Sequence, residues 1–194
     1  MVKLFENPEF KLIKFFYENK KKEFHFNEIS KETGILQGSL SPKLKALKEE
    51  KLLNLEKKAN LSIYCVNPYN DKLISLFAMY DKEKIAKLPI RIQNIIKKIQ
   101  NNIDSYFICI FGSFAKGNQT KTSDLDVFIA VKDKSLIKEY NIFKELEIEF
   151  GVKIDYSIAE YKATENQKHI LKSAIPISNY ENFYKTYFGV REDE

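Results

Sequence analysis

Between Tyr106 and Val131 two apolar runs, Tyr106 to Phe111 and Val127 to Val131, flank a polar stretch that opens with Gly112-Ser113 and closes with Ser123-Asp124-Leu125-Asp126. Short apolar runs bounded by turn residues read as buried strands. The chain must therefore leave one strand at a Gly-Ser turn, pass a second glycine at Gly117, and enter the next strand through two carboxylates. Each part has chemistry behind it. Gly112 lets the backbone approach a phosphate closely, and the Ser113 hydroxyl and the amides at the start of the following helix can donate to phosphate oxygens. Asp124 and Asp126 are two apart on an extended segment, so both carboxylates point to one face, where they can share one or two hard cations such as magnesium.

A third carboxylate completes a site of this kind. Val152 to Ile158 is another alternating segment, with Val152, Ile154, Tyr156 and Ile158 on one face and Lys153, Asp155 and Ser157 on the other. Asp155 is the candidate: placed beside Asp126 it could bind a catalytic metal and help to deprotonate an acceptor hydroxyl. Phosphoryl-type transfer requires positioning and charge neutralisation above all, which two metals about 3.5–4 Å apart supply by clamping the attacking and leaving oxygens.

Taken together, Gly112-Ser113, the second glycine at Gly117, Ser123-Asp124-Leu125-Asp126 and the later strand Asp155 resemble the minimal nucleotidyltransferases of the DNA polymerase beta superfamily, over residues 85–190 or so. The resemblance implies a nucleotide-binding set of Gly112, Ser113, Lys116, Gly117 and Ser123, and a catalytic, metal-binding set of Asp124, Asp126 and Asp155. It implies magnesium, one or two ions, as cofactor and ATP or another nucleoside triphosphate as substrate. The reaction would transfer a nucleoside monophosphate, AMP above all, to a hydroxyl with release of pyrophosphate. Lys116 stands where many members of the family carry Arg, which keeps the charge and loses the bidentate fork. Minimal members act as antitoxins that modify a tyrosine on a HEPN-type nuclease toxin, so the resemblance implies such a toxin, or another protein, as acceptor.

The first third of the chain has a different order. Phe10, Ile13, Lys14, Phe16 and Tyr17 follow Pro8 at helical spacing. Phe24-His25-Phe26 alternates like a short strand, and Asn27 is placed to cap a helix over Glu28 to Thr33 that Gly34 closes. Ser39 to Lys51 predicts a third helix, with Leu40, Leu44 and Leu47 inward and Pro42 in its first turn. Leu52 to Glu56 and Ser62 to Val66 predict a hairpin whose tip is Lys57-Lys58-Ala59-Asn60-Leu61. Glu28 to Val66 resembles a winged helix-turn-helix. That resemblance implies that the third helix enters the major groove of double-stranded DNA, with Gln37, Ser39 and Lys43 facing bases or backbone and Lys57, Lys58 and Asn60 on the wing. The alternative for the same fold is a protein-docking or dimerisation module.

Asn67 to Asp71 breaks the pattern. The expected organisation is a winged helix-turn-helix domain at 1–68, connecting helices at 69–104, and an α+β or α/β polymerase-beta-like nucleotidyltransferase domain at 105–194 with a small mixed sheet flanked by helices. Leu73, Leu76, Phe77 and Tyr80 form one connecting stripe and Ile92, Ile96, Ile99 and Ile103 another. Both are expected to pack into cores, with a homodimer contact open to the first. A crossover helix is expected over Ser135 to Phe150 with Leu136, Ile137, Tyr140, Phe143, Leu146 and Phe150 inward. Asn166 to Ala174 is expected as a helix, Ile175 to Ser178 as an edge strand, and the aromatic Tyr180 to Phe188 as packing.

Residues 1–66 carry 13 Lys against 9 Asp and Glu, residues 67–104 carry 7 Lys and Arg against 4, and residues 105–194 carry 12 against 14. A basic front and a mildly acidic back suggest different partners for each. No apolar run approaches membrane length and the first residues lack a signal-like apolar core, so a soluble cytoplasmic protein is expected. The two cysteines, Cys65 and Cys109, have no second ligand at metal spacing and are expected as reduced core residues. The two histidines, His25 and His169, are assigned no catalytic role. Three functions follow: an antitoxin-like adenylyltransferase whose DNA-binding domain regulates its own operon; a DNA-binding regulator whose nucleotidyltransferase domain only senses nucleotide or docks a partner; and, least favoured because the spare residues form no substrate lid, a transferase acting on a small molecule.

Overall fold

The computed structural model describes residues 7–20, 22–58, 60–133, 135, 141–162 and 168–190, and the chain divides into two compact units, Met1–Tyr80 and Asp81–Glu194.

In the first unit α1 (Pro8–Glu18) starts with proline where a backbone N–H has no helical partner to lose, and the Asn7 side chain accepts from the Glu9 N–H at 3.0 Å. Its inward stripe is Leu12, Ile13, Phe16 and Tyr17. β1 (Phe24–His25) runs directly into α2 (Phe26–Thr33). The cap is therefore His25 and not Asn27: Glu28, at the third helical position, accepts the His25 N–H at 2.7 Å. Gly34, left-handed at φ 65°, ends α2.

α3 (Gln37–Glu49) begins two residues before Ser39, so Pro42 lies at its sixth position, beyond the first turn, and omits the N–H that would reach the Gly38 carbonyl. Leu40, Leu44 and Leu47 are buried as expected. β2 (Leu53–Lys58) and β3 (Leu61–Val66) form a longer hairpin than the sequence pattern suggests, because Lys57 pairs with Ser62 and Lys58 with Leu61. Both lysines are strand residues, not tip residues, and Ala59 lies outside the described residues. β1 joins β3, giving an antiparallel sheet of order β1-β3-β2. Cys65 is only half-buried there, whereas Cys109 is buried.

The division between units falls within α4 (Asp71–Ala86). Its inward positions are Leu73, Ile74, Phe77, Ala78 and Tyr80, while Leu76 is half-buried, so the stripe is rotated from the expected one. Tyr17 packs on Phe77 and Tyr80 at centroid distances of 5.4 and 5.2 Å, and the Tyr80 hydroxyl donates to the Phe10 carbonyl at 2.8 Å.

The second unit is built on β4 (Phe107–Phe111), β5 (Leu125–Val131), β6 (Ile154–Glu160) and β7 (Ile175–Ser178), in the order β6-β5-β4-β7. β5 and β6 are parallel and the other pairs antiparallel, so the sheet is mixed, as expected. β7 is an edge strand, which accommodates Pro176. One face of the sheet, with Ile108, Ile110, Leu125, Val127, Ile129 and Ile154, forms a single core with Ile92, Ile95, Ile96 and Ile99 of α5 (Ile90–Asn102) and Phe143 and Leu146 of α7 (Ile142–Phe150). The expected inward residues Leu136, Ile137 and Tyr140 lie outside the described residues, as do Asn166, Gln167 and the acidic tail 192–194. α8 (Lys168–Leu171) is short.

The opposite face carries Phe107 and Phe128, and α9 (Tyr180–Phe188) covers it through Phe183, edge-on to Phe107 at 5.5 Å. Asp81, at 1% exposure, accepts from the Tyr184 hydroxyl at 2.5 Å. Burial pushes the neighbouring Tyr180 hydroxyl up to about 12, with the Asp81 charge adding to it. Among the described residues no helix is long and apolar enough to cross a membrane.

Replacing Tyr184 by Phe keeps the ring in place and takes one hydrogen bond from a buried carboxylate. It should lower stability by about 1.5–3 kcal/mol, the scale of a hydrogen bond to a charged group. Urea unfolding of the two proteins measures this, and a loss within error would show that the bond contributes nothing.

Candidate active site

Phe111 ends β4 in an extended conformation and α6 (Gly112–Lys116) follows at once. Gly112 has φ +67°, and a Cβ placed on it would lie 1.9 Å from Asp126 Oδ2 and 2.7 Å from Asp126 Cγ. Only glycine can stand there, because a side chain would need both a left-handed backbone and the space that the carboxylate occupies. The pairing of Phe111 with Asp126 across β4 and β5 creates this contact. Gly112 thus accommodates Asp126, a role that the motif alone does not reveal.

α6 is closed by Gly117, left-handed at φ 74°, and the Gly117 N–H and the Asn118 N–H, the latter at 3.1 Å, both donate to the Ser113 carbonyl. Ser113 is half-buried and Lys116 exposed. In the loop that leads to β5, the Thr120 N–H donates to Ser123 Oγ at 2.8 Å and the Ser123 N–H to the Thr120 carbonyl at 3.3 Å. The Ser123 hydroxyl braces its own loop. Gln119 Oε1 is buried with no hydrogen-bond partner among the described residues.

The parallel register of β5 and β6 sets Asp126 opposite Asp155. With Asp124 two residues earlier on the same face, the three carboxylates predicted from sequence are brought to one end of two neighbouring strands. Asp124 and Asp126 are half-buried and Asp155 is exposed. The Asp126 carboxyl is held above the usual carboxylate range by burial first, then by the charges of Asp155 and Asp124, against the opposing influence of its own backbone N–H and of Lys116. Lys153 Nζ donates to Asp124 Oδ2 at 2.9 Å. The sequence had put Lys153 on the Asp155 face, yet its partner became visible only with the strand pairing.

Carboxylate oxygens suit a hard cation by donor type, and the charges of Asp155 and Asp124, which add to burial in raising Asp126, are what a divalent charge would offset. Among the described residues, however, no group of three or more His, Cys, Asp or Glu side chains is gathered closely enough to hold a metal.

The residues expected to meet DNA lie on α3 and on the hairpin. Gln37 and Ser39 are exposed and Lys43 is half-buried, with Gln37 Nε2 donating to Asn27 Oδ1 at 3.2 Å. Lys57 and Asn60 are exposed. Lys58 is engaged by Glu23 at 2.8 Å and Glu56 at 3.8 Å, exposed pairs that offset part of its charge within the unit.

The mixed sheet thus presents carboxylates from two parallel strands beside a glycine turn. Residues 93–182, from α5 into α9, match the family model described as Polymerase beta, Nucleotidyltransferase. The match supports a nucleotidyltransferase domain of the DNA polymerase beta superfamily in this segment, and such a domain implies a nucleotide substrate. Comparison with curated proteins and with solved structures gave no match.

Two substitutions test the geometry. Gly112→Ala should displace the Asp126 carboxylate and cost at least about 1–2 kcal/mol for the left-handed backbone alone, read as a lower unfolding midpoint. Asp126→Asn should do the opposite. Because the folded carboxyl holds its proton more tightly than the unfolded chain does, wild-type stability falls as pH rises from the ordinary carboxylate value through the raised folded one. The Asn variant should therefore unfold at higher temperature than wild type at neutral pH, with the margin shrinking as pH falls through that window. Parallel curves at every pH would contradict the raised proton affinity of Asp126.

Proposed function

We propose that the chain transfers AMP from ATP to a hydroxyl of a partner protein, in a magnesium-dependent reaction. The observation that carries this reading is the register of Asp126 with Asp155, with Asp124 on the same face and Asp126 fitted against Gly112. Asp124 and Asp126, assisted by Asp155, would hold magnesium. A magnesium ion bound through one or two carboxylates and the substrate's own phosphates needs no protein cage. When bound, magnesium would neutralise charge on the triphosphate.

The remaining work falls to the chain. The amides of α6 and the Ser113 hydroxyl receive phosphate oxygens beside Gly112, and Lys116 supplies a positive charge at the other end of the same turn. α6 is a single short turn, so local N–H groups do this and not a long helix dipole. The acceptor oxygen bonds to the α-phosphorus while the bond from that phosphorus to the bridging oxygen breaks. Pyrophosphate leaves, and the acceptor proton passes to the exposed Asp155. Ser123 acts through its loop, by holding the entry to β5. Exposure of Asp155 favours an acceptor that approaches from outside, and a HEPN-type toxin is the protein acceptor that the family resemblance suggests.

The first unit is read as a winged helix-turn-helix that binds double-stranded DNA and regulates the operon of its own gene. Support comes from the order α1, β1, α2, α3, hairpin, and from the exposure of Gln37, Ser39 and Lys57. Lys58 is the weakest of the expected contacts because of its ion pairs.

Purified protein incubated with α-labelled ATP, magnesium and lysate from its source should transfer label to a macromolecule, and the Asp124→Asn/Asp126→Asn variant should not. Absence of label with any of the four nucleoside triphosphates, while nucleotide still binds, would favour the regulator that only senses nucleotide. Binding to a promoter fragment should weaken with salt at a log–log slope of about −0.9 per phosphate neutralised. Lys43→Gln and Lys57→Gln should each make that slope shallower by roughly one. Binding that ignores salt would exclude the DNA reading.

A further inference from the structure

The three carboxylates are not left without a cation. Lys153 precedes Asp155 by two residues, and its carbonyl accepts the Leu125 N–H at 2.8 Å, which ties the backbone at this point to the base of β5. From there its ammonium reaches Asp124 Oδ2 at 2.9 Å. The hydrogen bond to Asp124 raises the proton affinity of Lys153, with the charges of Asp124, Asp155 and Glu147 acting in the same direction. The side chain is a compact point charge on a flexible stem, and the ion pair is exposed on the lysine side. Such a pair is easily made and easily broken.

We propose that Lys153 is a resident counter-ion of the carboxylate cluster, which competes with the divalent cation for Asp124 and is transferred to the triphosphate when nucleotide arrives. The inference rests on the magnesium and nucleotide reading above. In the unloaded site the ammonium offsets part of the repulsion among Asp124, Asp126 and Asp155. A cation arriving alone has to displace it and binds weakly. Nucleotide brings phosphate oxygens that accept the ammonium, which frees Asp124 Oδ2 for the cation. Cation and nucleotide then favour each other's binding through one movable side chain, and the coupling is reciprocal.

The test is a titration of manganese, as the spectroscopic stand-in for magnesium, into the full chain, Lys153→Met and Lys116→Met, each with and without a non-hydrolysable ATP analogue. Free manganese is read by electron paramagnetic resonance. Without nucleotide, Lys153→Met should bind manganese about two- to fivefold more tightly than wild type, the scale of an exposed ion pair. Lys116→Met, which removes a nearby charge that is not bonded to Asp124, should change it less. With the analogue, Lys153→Met should show a smaller gain in manganese affinity than wild type. Equal or weaker manganese binding by Lys153→Met would overturn the proposal while leaving the metal site of the wild type intact. An equal gain from Lys116→Met would also overturn it, since the effect would then be the general field. If wild type and variants all fail to bind manganese even with the analogue, the carboxylate reading itself falls and this inference with it.

Discussion

The contact between Gly112 and the Asp126 carboxylate constrains everything around it. One carboxylate oxygen lies where the Cβ of any other residue would stand. That position is possible only because Gly112 takes a positive φ and because Phe111 pairs with Asp126 across β4 and β5. The same strand then faces Asp155 through the parallel pairing with β6. Strand pairing thus brings Asp126 beside Asp155, with Asp124 two residues earlier on the same face. Burial first, and then the charges of Asp155 and Asp124, hold the Asp126 carboxyl above the usual carboxylate range. The apolar face beneath, where Leu125, Val127 and Ile154 join α5 and α7 in one core, holds the strands in place.

Much of this was legible in the sequence, for a physical reason. β4 and β5 are buried on both faces, so they appear as uninterrupted apolar runs. Asp124 and Asp126 are two apart, and strand periodicity alone puts them on one face. Asp155 followed from the alternation of Val152 to Ile158. What stayed hidden depends on register. The link between Gly112 and Asp126 requires knowing which residue of β4 faces which of β5, and the Lys153 to Asp124 ion pair requires the parallel neighbour. Tyr184 and Asp81 are 103 residues apart, and no local pattern connects them. Ser123 had a phosphate-binding expectation from its place in the motif, and the structure adds a loop contact that the motif did not reveal: its Oγ accepts the Thr120 N–H, which leaves the hydroxyl able to donate.

The first unit shows the same division between pattern and pairing. Its helices were readable from Leu12, Ile13, Leu40, Leu44 and Leu47, but their limits were set by interactions outside the apolar stripe. Glu28 reaches back to the His25 N–H and starts α2 earlier than Asn27 would. Cross-strand pairing continues through Lys57 and Lys58 and converts an expected tip into strand. The consequence is electrostatic: once Lys58 is in the sheet, Glu23 and Glu56 are within reach of its ammonium. A count of basic residues along the hairpin therefore overstates the charge available to a polyanion.

The cations around the candidate active site are lysines, Lys116 at the end of α6 and Lys153 before β6, and this bears on how such a site would orient a substrate. A guanidinium would grip phosphate in a planar fork, whereas an ammonium supplies charge with little directional preference. Orientation must then come from the fixed parts, namely the amides beside Gly112 and the carboxylates on β5 and β6. Those parts sit on strands braced by a continuous core, while both lysines are exposed and Lys153 is held to Asp124 by an exposed ion pair. A division into rigid carboxylates and movable ammoniums is what a site needs if it must repel its own charges when empty and neutralise a triphosphate when full.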